Sequence, residues 1–81
     1  MIKYEFEKKE CQSAAYDQDR LIGVCEYTIE SGKWYIMHTY VESQYQGQGI
    51  ARKLVELVVS EAKKENIQVV PICSYAVKII K

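Results

Sequence analysis

Two glycines one residue apart, Gly47 and Gly49, stand directly before a run with helical spacing in "QYQGQGIARKLVELVV", residues 44–59. The start of a helix carries backbone N–H groups without partners and the positive end of the helix dipole. Glycines clear side chains from that end, so an anion can approach the backbone closely. The spacing therefore fits a phosphate cradle. It also fits a turn at Gly47 and a helix packed closely on a sheet at Gly49, and the pair alone does not separate the three. Two nucleotide motifs are excluded. Gly47-Gln48-Gly49 is followed by Ile50-Ala51-Arg52, with arginine where the dinucleotide fingerprint needs its last glycine. No Gly-Lys-Ser/Thr follows, which removes the nucleoside-triphosphate P-loop.

A few other side chains have the right type for chemistry. His38 is the lone histidine, the one residue type that titrates near neutrality without help. It is either an acid–base group or a hydrogen-bonded histidine on a strand face. Cys73 follows the apolar "VVPI", and a thiolate there is a candidate nucleophile. Its alternative role is an inert packing thiol. Glu42 is a second base candidate or a surface carboxylate. Cys11, Cys25 and Cys73 are odd in number and show no CxxC or metal spacing. The N-terminal "MIKYEFEKKE" lacks an apolar signal core, so free thiols in a reducing cytoplasm are the expectation. One histidine excludes a histidine-rich metal site. Eleven basic against eleven acidic residues argue against a nucleic-acid partner, which needs a basic excess. No apolar segment is long enough to span a membrane as a helix.

The elements that must hold these residues are readable from period. The chain of 81 residues is expected to form one domain, residues 1–81. "IKYEFE" alternates cleanly, with Ile2, Tyr4 and Phe6 on one face of a half-buried strand. "CQSAAYD" is a second strand, ending in the turn-like Asp17-Gln18-Asp19. "RLIGVCEYTIE" is a third, and Ser31-Gly32 reverses the chain with Glu30 opposite Lys33. "KWYIMHTYV" is a fourth. Strict alternation puts Trp34, Ile36, His38 and Tyr40 on one of its faces and Tyr35, Met37, Thr39 and Val41 on the other. The period then changes. Ile50, Leu54, Leu57, Val58 and Ala62 recur at helical spacing, and Asn66 is the expected stop. "IQVVPIC" is a short apolar strand, expected to be central, with Pro71 ending its pairing or lying at its edge. "SYAVKIIK" predicts a last short helix with Tyr75, Ile79 and Ile80 turned inward. One helix between the fourth and fifth strands makes a right-handed βαβ unit with those strands parallel. Loops at the carboxyl ends of parallel strands are where ligands settle, and the glycine pair lies there.

"QYQGQGIA" resembles the acyl-CoA-binding motif of the GNAT superfamily of N-acetyltransferases, Gln/Arg-x-x-Gly-x-Gly/Ala, through Gln44, Gly47 and Gly49. "MHTYV" before the loop and "VVPICSYAVKII" after the helix resemble a small single-domain branch of that superfamily that carries a cysteine near this position. The resemblance covers residues 36–81 well and the first strands by order and length. It implies an α+β, minimal GNAT-like acyl-CoA N-acyltransferase fold. That fold is an antiparallel meander of about four strands, a helical crossover to a parallel fifth strand, and a short C-terminal helix.

The resemblance also implies function: an acetyl-CoA-dependent N-acetyltransferase acting on a small amine or a lysine side chain. The alternative is a CoA-binding module without turnover, acting as a sensor or partner subunit. Backbone N–H groups of Gln46, Gly47, Gln48, Gly49, Ile50 and Ala51 would hold the CoA pyrophosphate. Arg52 or Lys53 would either meet the 3′-phosphate or adenine end or remain solvated helix charges. The pantetheine arm would lie between Thr39, Tyr40 and Val41 on one side and Cys73 on the other. Gln46 replaces an arginine often found just before the first motif glycine, which removes one charge contact and keeps the backbone cradle. His38 would serve as base, Cys73 as acyl acceptor and Tyr75 as the acid that protonates the leaving thiolate. A His38–Cys73 relay across the strand splay is one arrangement. No N-terminal helices are expected between the first strands, where the wider superfamily commonly forms its acceptor site. The groove is thus expected to be open in a monomer or completed by a second copy in a homodimer.

Overall fold

The computed structural model describes residues 1–80. Five strands form one sheet in sequence order: β1 (Ile2–Glu7), β2 (Gln12–Asp17), β3 (Arg20–Glu30), β4 (Lys33–Val41) and β5 (Val69–Pro71). The first four are antiparallel, and β4 and β5 are parallel through the crossover helix α1 (Ile50–Lys64). A second helix, α2 (Ser74–Ile80), closes the described chain. The α+β meander with a parallel fifth strand is thus the observed architecture. No helix among the described residues is long and apolar enough to cross a membrane.

Local chemistry explains most boundaries. Ser31 and Gly32 both take positive φ, the paired left-handed geometry of a tight hairpin, and Glu30 stands opposite Lys33. Asn66 is also left-handed (φ 59°), and the Ile67 N–H bonds back to the Ala62 carbonyl at 2.9 Å, stopping α1 where expected. Two short 3-10 turns, Lys8–Glu10 and Ser43–Tyr45, are additions that no periodicity signalled. Cys11 sits at the first of these in a left-handed conformation, just outside β2 rather than within it.

The core lies between one face of the sheet and α1. Ile50, Leu54, Val55, Val58 and Ala62 of α1 are buried against Ala15, Ile22, Cys25, Tyr27, Trp34, Ile36 and Val41. Val55 is fully buried, whereas Leu57, expected inside, is half-buried. Each fully buried aliphatic or aromatic side chain contributes about 1.5–3 kcal/mol, so this one layer carries most of the stability. Two details seat the helix. A Cβ on Gly23 would come within 3.1–3.2 Å of the Tyr40 carbonyl, Leu54 and Val41, so glycine there permits α1 to lie close on the sheet. The buried Ser13 hydroxyl donates to the Leu54 carbonyl at 2.8 Å, tying the middle of α1 to β2.

Three expectations are overturned. The fifth strand is an edge strand that pairs only with β4, because its three residues have no further neighbour in the sheet. Its apolar side chains are half-buried beneath the helices instead of enclosed between strands. In α2, Ala76 is the buried residue and Tyr75 is exposed, while Ile79 and Ile80 are half-buried against the core. The faces of β4 also differ from strict alternation. Glu26 pairs with His38 and the next residue, Tyr27, pairs with Ile36, so Met37 is an extra residue bulged out of the ladder. The bulge inverts the alternation. Trp34 and Ile36 are buried before it and Val41 after it, while His38 and Tyr40 are exposed. His38 therefore does not share a face with Trp34 and Ile36.

Candidate active site

The glycine loop and the end of β4 form one site. Gly47 and Gly49 take φ +84° and +80°, and a Cβ at either would meet nothing within 4 Å. These positions are glycine for the backbone conformation they need, and the space above them is open. Gly49 is the N-cap of α1, where a serine or aspartate would normally accept a first-turn N–H. Glycine brings no such acceptor. Among the described residues, the N–H groups of Gly47, Gln48, Gly49, Ile50, Ala51 and Arg52 donate to no protein group. The N–H of Gln46 is different, because it donates to the Ser43 carbonyl at 3.2 Å. The Gln46 side chain instead donates from Nε2 to the Val41 carbonyl at 2.9 Å, pinning the loop to the end of β4.

Beside this loop the sheet opens. Pairing between β4 and β5 covers only Trp34, Tyr35 and Ile36, opposite Val69, Val70 and Pro71. The N–H groups of both Ile72 and Cys73 end on the Ile36 carbonyl, and the chain then turns into α2. Among the described residues, 37–41 of β4 consequently have no strand partner on that side. A cavity of about 510 Å³ occupies the opening, walled by Thr39, Val41, Tyr45, the loop residues Gln46, Gly47 and Gly49, the helix start at Ile50 and Ala51, and Tyr75. Open N–H donors on one wall and an unpaired strand edge on another fit an elongated ligand with an anionic end.

The candidate residues divide between this cavity and its surroundings. Thr39, Val41, Gln46, Gly47, Gly49, Ile50, Ala51 and Tyr75 are in the wall. Gln48 is the exposed residue between the two glycines. Arg52 is exposed and paired with Glu56 at 3.5 Å, and the Lys53 ammonium lies 5.5 Å over the Tyr4 ring. Tyr40 is exposed beside His38 on the uncovered face of the sheet. Glu42 is held by Arg20 at 2.7 Å.

Cys73 reaches the wall through Thr39. The Thr39 hydroxyl lies 3.5 Å from the Cys73 sulfur and 3.6 Å from that of Cys25. The Cys73 sulfur also accepts the Ala76 N–H at 3.3 Å, and its carbonyl accepts Val77 N–H, so the residue caps α2. Burial pushes the Cys25 thiol up to about 11, keeping it protonated at neutral pH. The relay expected between His38 and Cys73 is not what the fold assembles. The His38 side chain makes no hydrogen bond among the described residues, and Thr39 takes the place beside the sulfur. Tyr45, absent from the sequence candidates, is a further wall residue. Its hydroxyl donates to Asp17, and that bond raises its pKa. The only signal for it was its place between the motif Gln44 and the glycines.

These features match known proteins. A GCN5-related N-acetyltransferase from Sphaerobacter thermophilus superposes with a TM-score of 0.69 at 26% identity, over 78% of this chain and 22% of that one. A protein of unknown function from meticillin-resistant Staphylococcus aureus gives 0.71 at 20% identity, over 93% of this chain and 81% of that one. A predicted acetyltransferase from Clostridium acetobutylicum, solved with acetyl-CoA, gives 0.65 at 21% identity, over 84% and 52%. The chain thus spans about a fifth of the first of these and half of the third. No curated protein matches the sequence. The family model for GCN5-related N-acetyltransferases, whose cofactor is acetyl-CoA, matches residues 5–81. With nearly the whole chain inside that match, the protein belongs to the GCN5-related N-acetyltransferase family.

Proposed function

We propose that the chain binds acetyl-CoA in the cavity and transfers its acetyl group to an amine, either a small amine or a lysine side chain. The observation that carries this reading is the row of undonated N–H groups at the glycine loop, set beside a strand edge that β5 leaves unpaired. In this reading Gly47, Gln48, Gly49, Ile50 and Ala51 bind the pyrophosphate through the backbone, and Gln46 contributes by pinning the loop. Arg52, paired with Glu56 in an exposed contact, or Lys53, over the Tyr4 ring, meets the 3′-phosphate or adenine end. Thr39, Tyr40 and Val41 on one side and Cys73 on the other flank the pantetheine arm. Bound acetyl-CoA supplies an activated acyl carbonyl. Tyr75, which lines the cavity, is the group assigned to give a proton to the departing sulfur. His38 is the group that takes a proton from an amine arriving on the uncovered face of the sheet. Cys73 is the sulfur able to receive the acyl group on the way.

The position of His38, outside the cavity wall and on the other face from Thr39, favours a second reading: a CoA-binding module without turnover. Thermal melting with CoA and acetyl-CoA, followed by CoA release across a panel of amines and lysine peptides, separates the two. Stabilisation by both ligands with amine-dependent release supports the enzyme. Stabilisation without release supports the module, and no stabilisation removes both. Intact-mass analysis after incubation with acetyl-CoA then reads whether Cys73 becomes acylated.

A further inference from the structure

Thr39 has one hydroxyl hydrogen and two sulfur neighbours. Its oxygen is 3.6 Å from Cys25, to which it donates, and 3.5 Å from Cys73, where either atom can be the donor. The two sulfurs differ. Cys25 is fully buried on β3, directly opposite Thr39 in the ladder. Cys73 is half-buried at the start of α2 and already accepts the Ala76 N–H at 3.3 Å. Thr39 itself lines the cavity. It faces that way only because Met37 bulges and inverts the alternation of β4.

We propose that Thr39 is a positioning residue whose single hydroxyl hydrogen is contested between Cys25 and Cys73, and that this contest sets how readily Cys73 acts as a nucleophile. While Cys73 is a thiol, its S–H donates to the Thr39 oxygen and the Thr39 hydrogen points at Cys25. When Cys73 gives its proton to a base in solvent, the hydroxyl turns and donates to the new thiolate. The anion then holds two donors, the Thr39 O–H and the Ala76 N–H. Cys25 stays a protonated thiol at neutral pH because burial opposes its ionisation, so it competes only as a weak neutral acceptor. The assignment extends the acyl-transfer reading, because it gives Cys73 a mechanism of activation that does not pass through His38.

The test separates this assignment from that reading. Iodoacetamide alkylates a thiolate by forming an S–C bond and expelling iodide, and peptide mapping resolves Cys73 from Cys11 and Cys25. Thr39→Val keeps the shape and removes the donor, so Cys73 alkylation slows about tenfold, the scale of one hydrogen bond to a charged group. Thr39→Ser restores the rate. Cys25→Ala removes the competitor, so alkylation of Cys73 accelerates. A role that was merely structural would slow alkylation in neither pattern and would not give opposite signs for the two variants. In amine-dependent CoA release, Thr39→Val lowers kcat and Thr39→Ser restores it. Unchanged alkylation in Thr39→Val, or slower alkylation in a folded Cys25→Ala, overturns the assignment. The full alkylation pattern without CoA release from any amine counts against acetyl transfer and leaves the control of Cys73 by Thr39 in place.

Discussion

The two halves of β4 are neighbours in one strand and opposites in environment. Trp34, Tyr35 and Ile36 are paired with β3 on one side and β5 on the other. Trp34 stacks on Tyr27 with ring centroids 4.3 Å apart, and Phe6 stacks on Trp34 at 5.8 Å. Beyond the Met37 bulge, residues 38–41 pair with β3 alone, and their other edge faces a cavity. The first half contributes apolar burial and the second contributes donors, acceptors and a thiol contact. A single extra residue divides the strand into a structural part and a site. The bulge is what allows both parts to bury an apolar residue, Ile36 and Val41, while their parities differ.

The comparison predicts separable failures. Trp34→Ala, in the structural half, costs about 3–5 kcal/mol by removing a fully buried aromatic from a stack, a large share of the stability of so small a domain. Urea unfolding monitored by circular dichroism measures it, and a loss under about 1 kcal/mol would mean the stack is not the core it looks to be. Gly47→Val and Gly49→Val, in the loop beside the site half, force a side chain into left-handed backbone at a cost of about 1–2 kcal/mol each. The fold persists while CoA affinity falls at least about tenfold, the equivalent of about one lost charge-assisted hydrogen bond to the phosphates. Isothermal titration checks this, and wild-type affinity in either folded variant rejects the cradle.

The smallest effect concerns Tyr27 of β3, stacked on the structural half, whose buried hydroxyl has no partner among the described residues. Burial pushes its pKa up to about 12 from the ordinary 10.0. The folded state thus favours the neutral phenol. Its contribution to stability is full below about pH 10 and is lost as pH climbs to about 12, because the unfolded chain ionises first. Tyr27→Phe removes an unsatisfied polar group and is expected to be neutral or to stabilise by about 1 kcal/mol at pH 7. It also flattens the alkaline fall, which unfolding curves between pH 9 and 12 would record. A variant less stable than wild type at pH 7 would show that the hydroxyl finds a partner, such as an internal water.

Much of this was readable in advance because it rests on local periodicity and local dihedral preference. Alternation in residues 2–7 and helical spacing in residues 50–62 depend on near neighbours alone, as do the turn at Ser31-Gly32 and the stop at Asn66. The glycine loop was legible for the same reason. The left-handed backbone at Gly47 and Gly49 and the helix start they precede depend on near neighbours too. The faces of β4 were not legible, because alternation assumes an unbroken ladder. The clue lay in two apolar residues, Ile36 and Val41, separated by an odd number, with Met37 able to stand on either face. The place of β5 was misread because an apolar strand can be buried by helices as well as by flanking strands.

The sequence by itself therefore determined the order and type of the strands and the two α-helices and the glycine loop at the start of α1. Those depend on residues within one helical turn or one hairpin of each other. Only the tertiary structure decided which side chains meet at the end of β4. Cys25, Thr39 and Cys73 are 14 and 34 residues apart in their contacts, and a one-residue bulge chose Thr39 over His38 as the neighbour of the thiol. Contacts across that distance are set by strand register and helix packing, which balance the burial of the whole core and have no local signature.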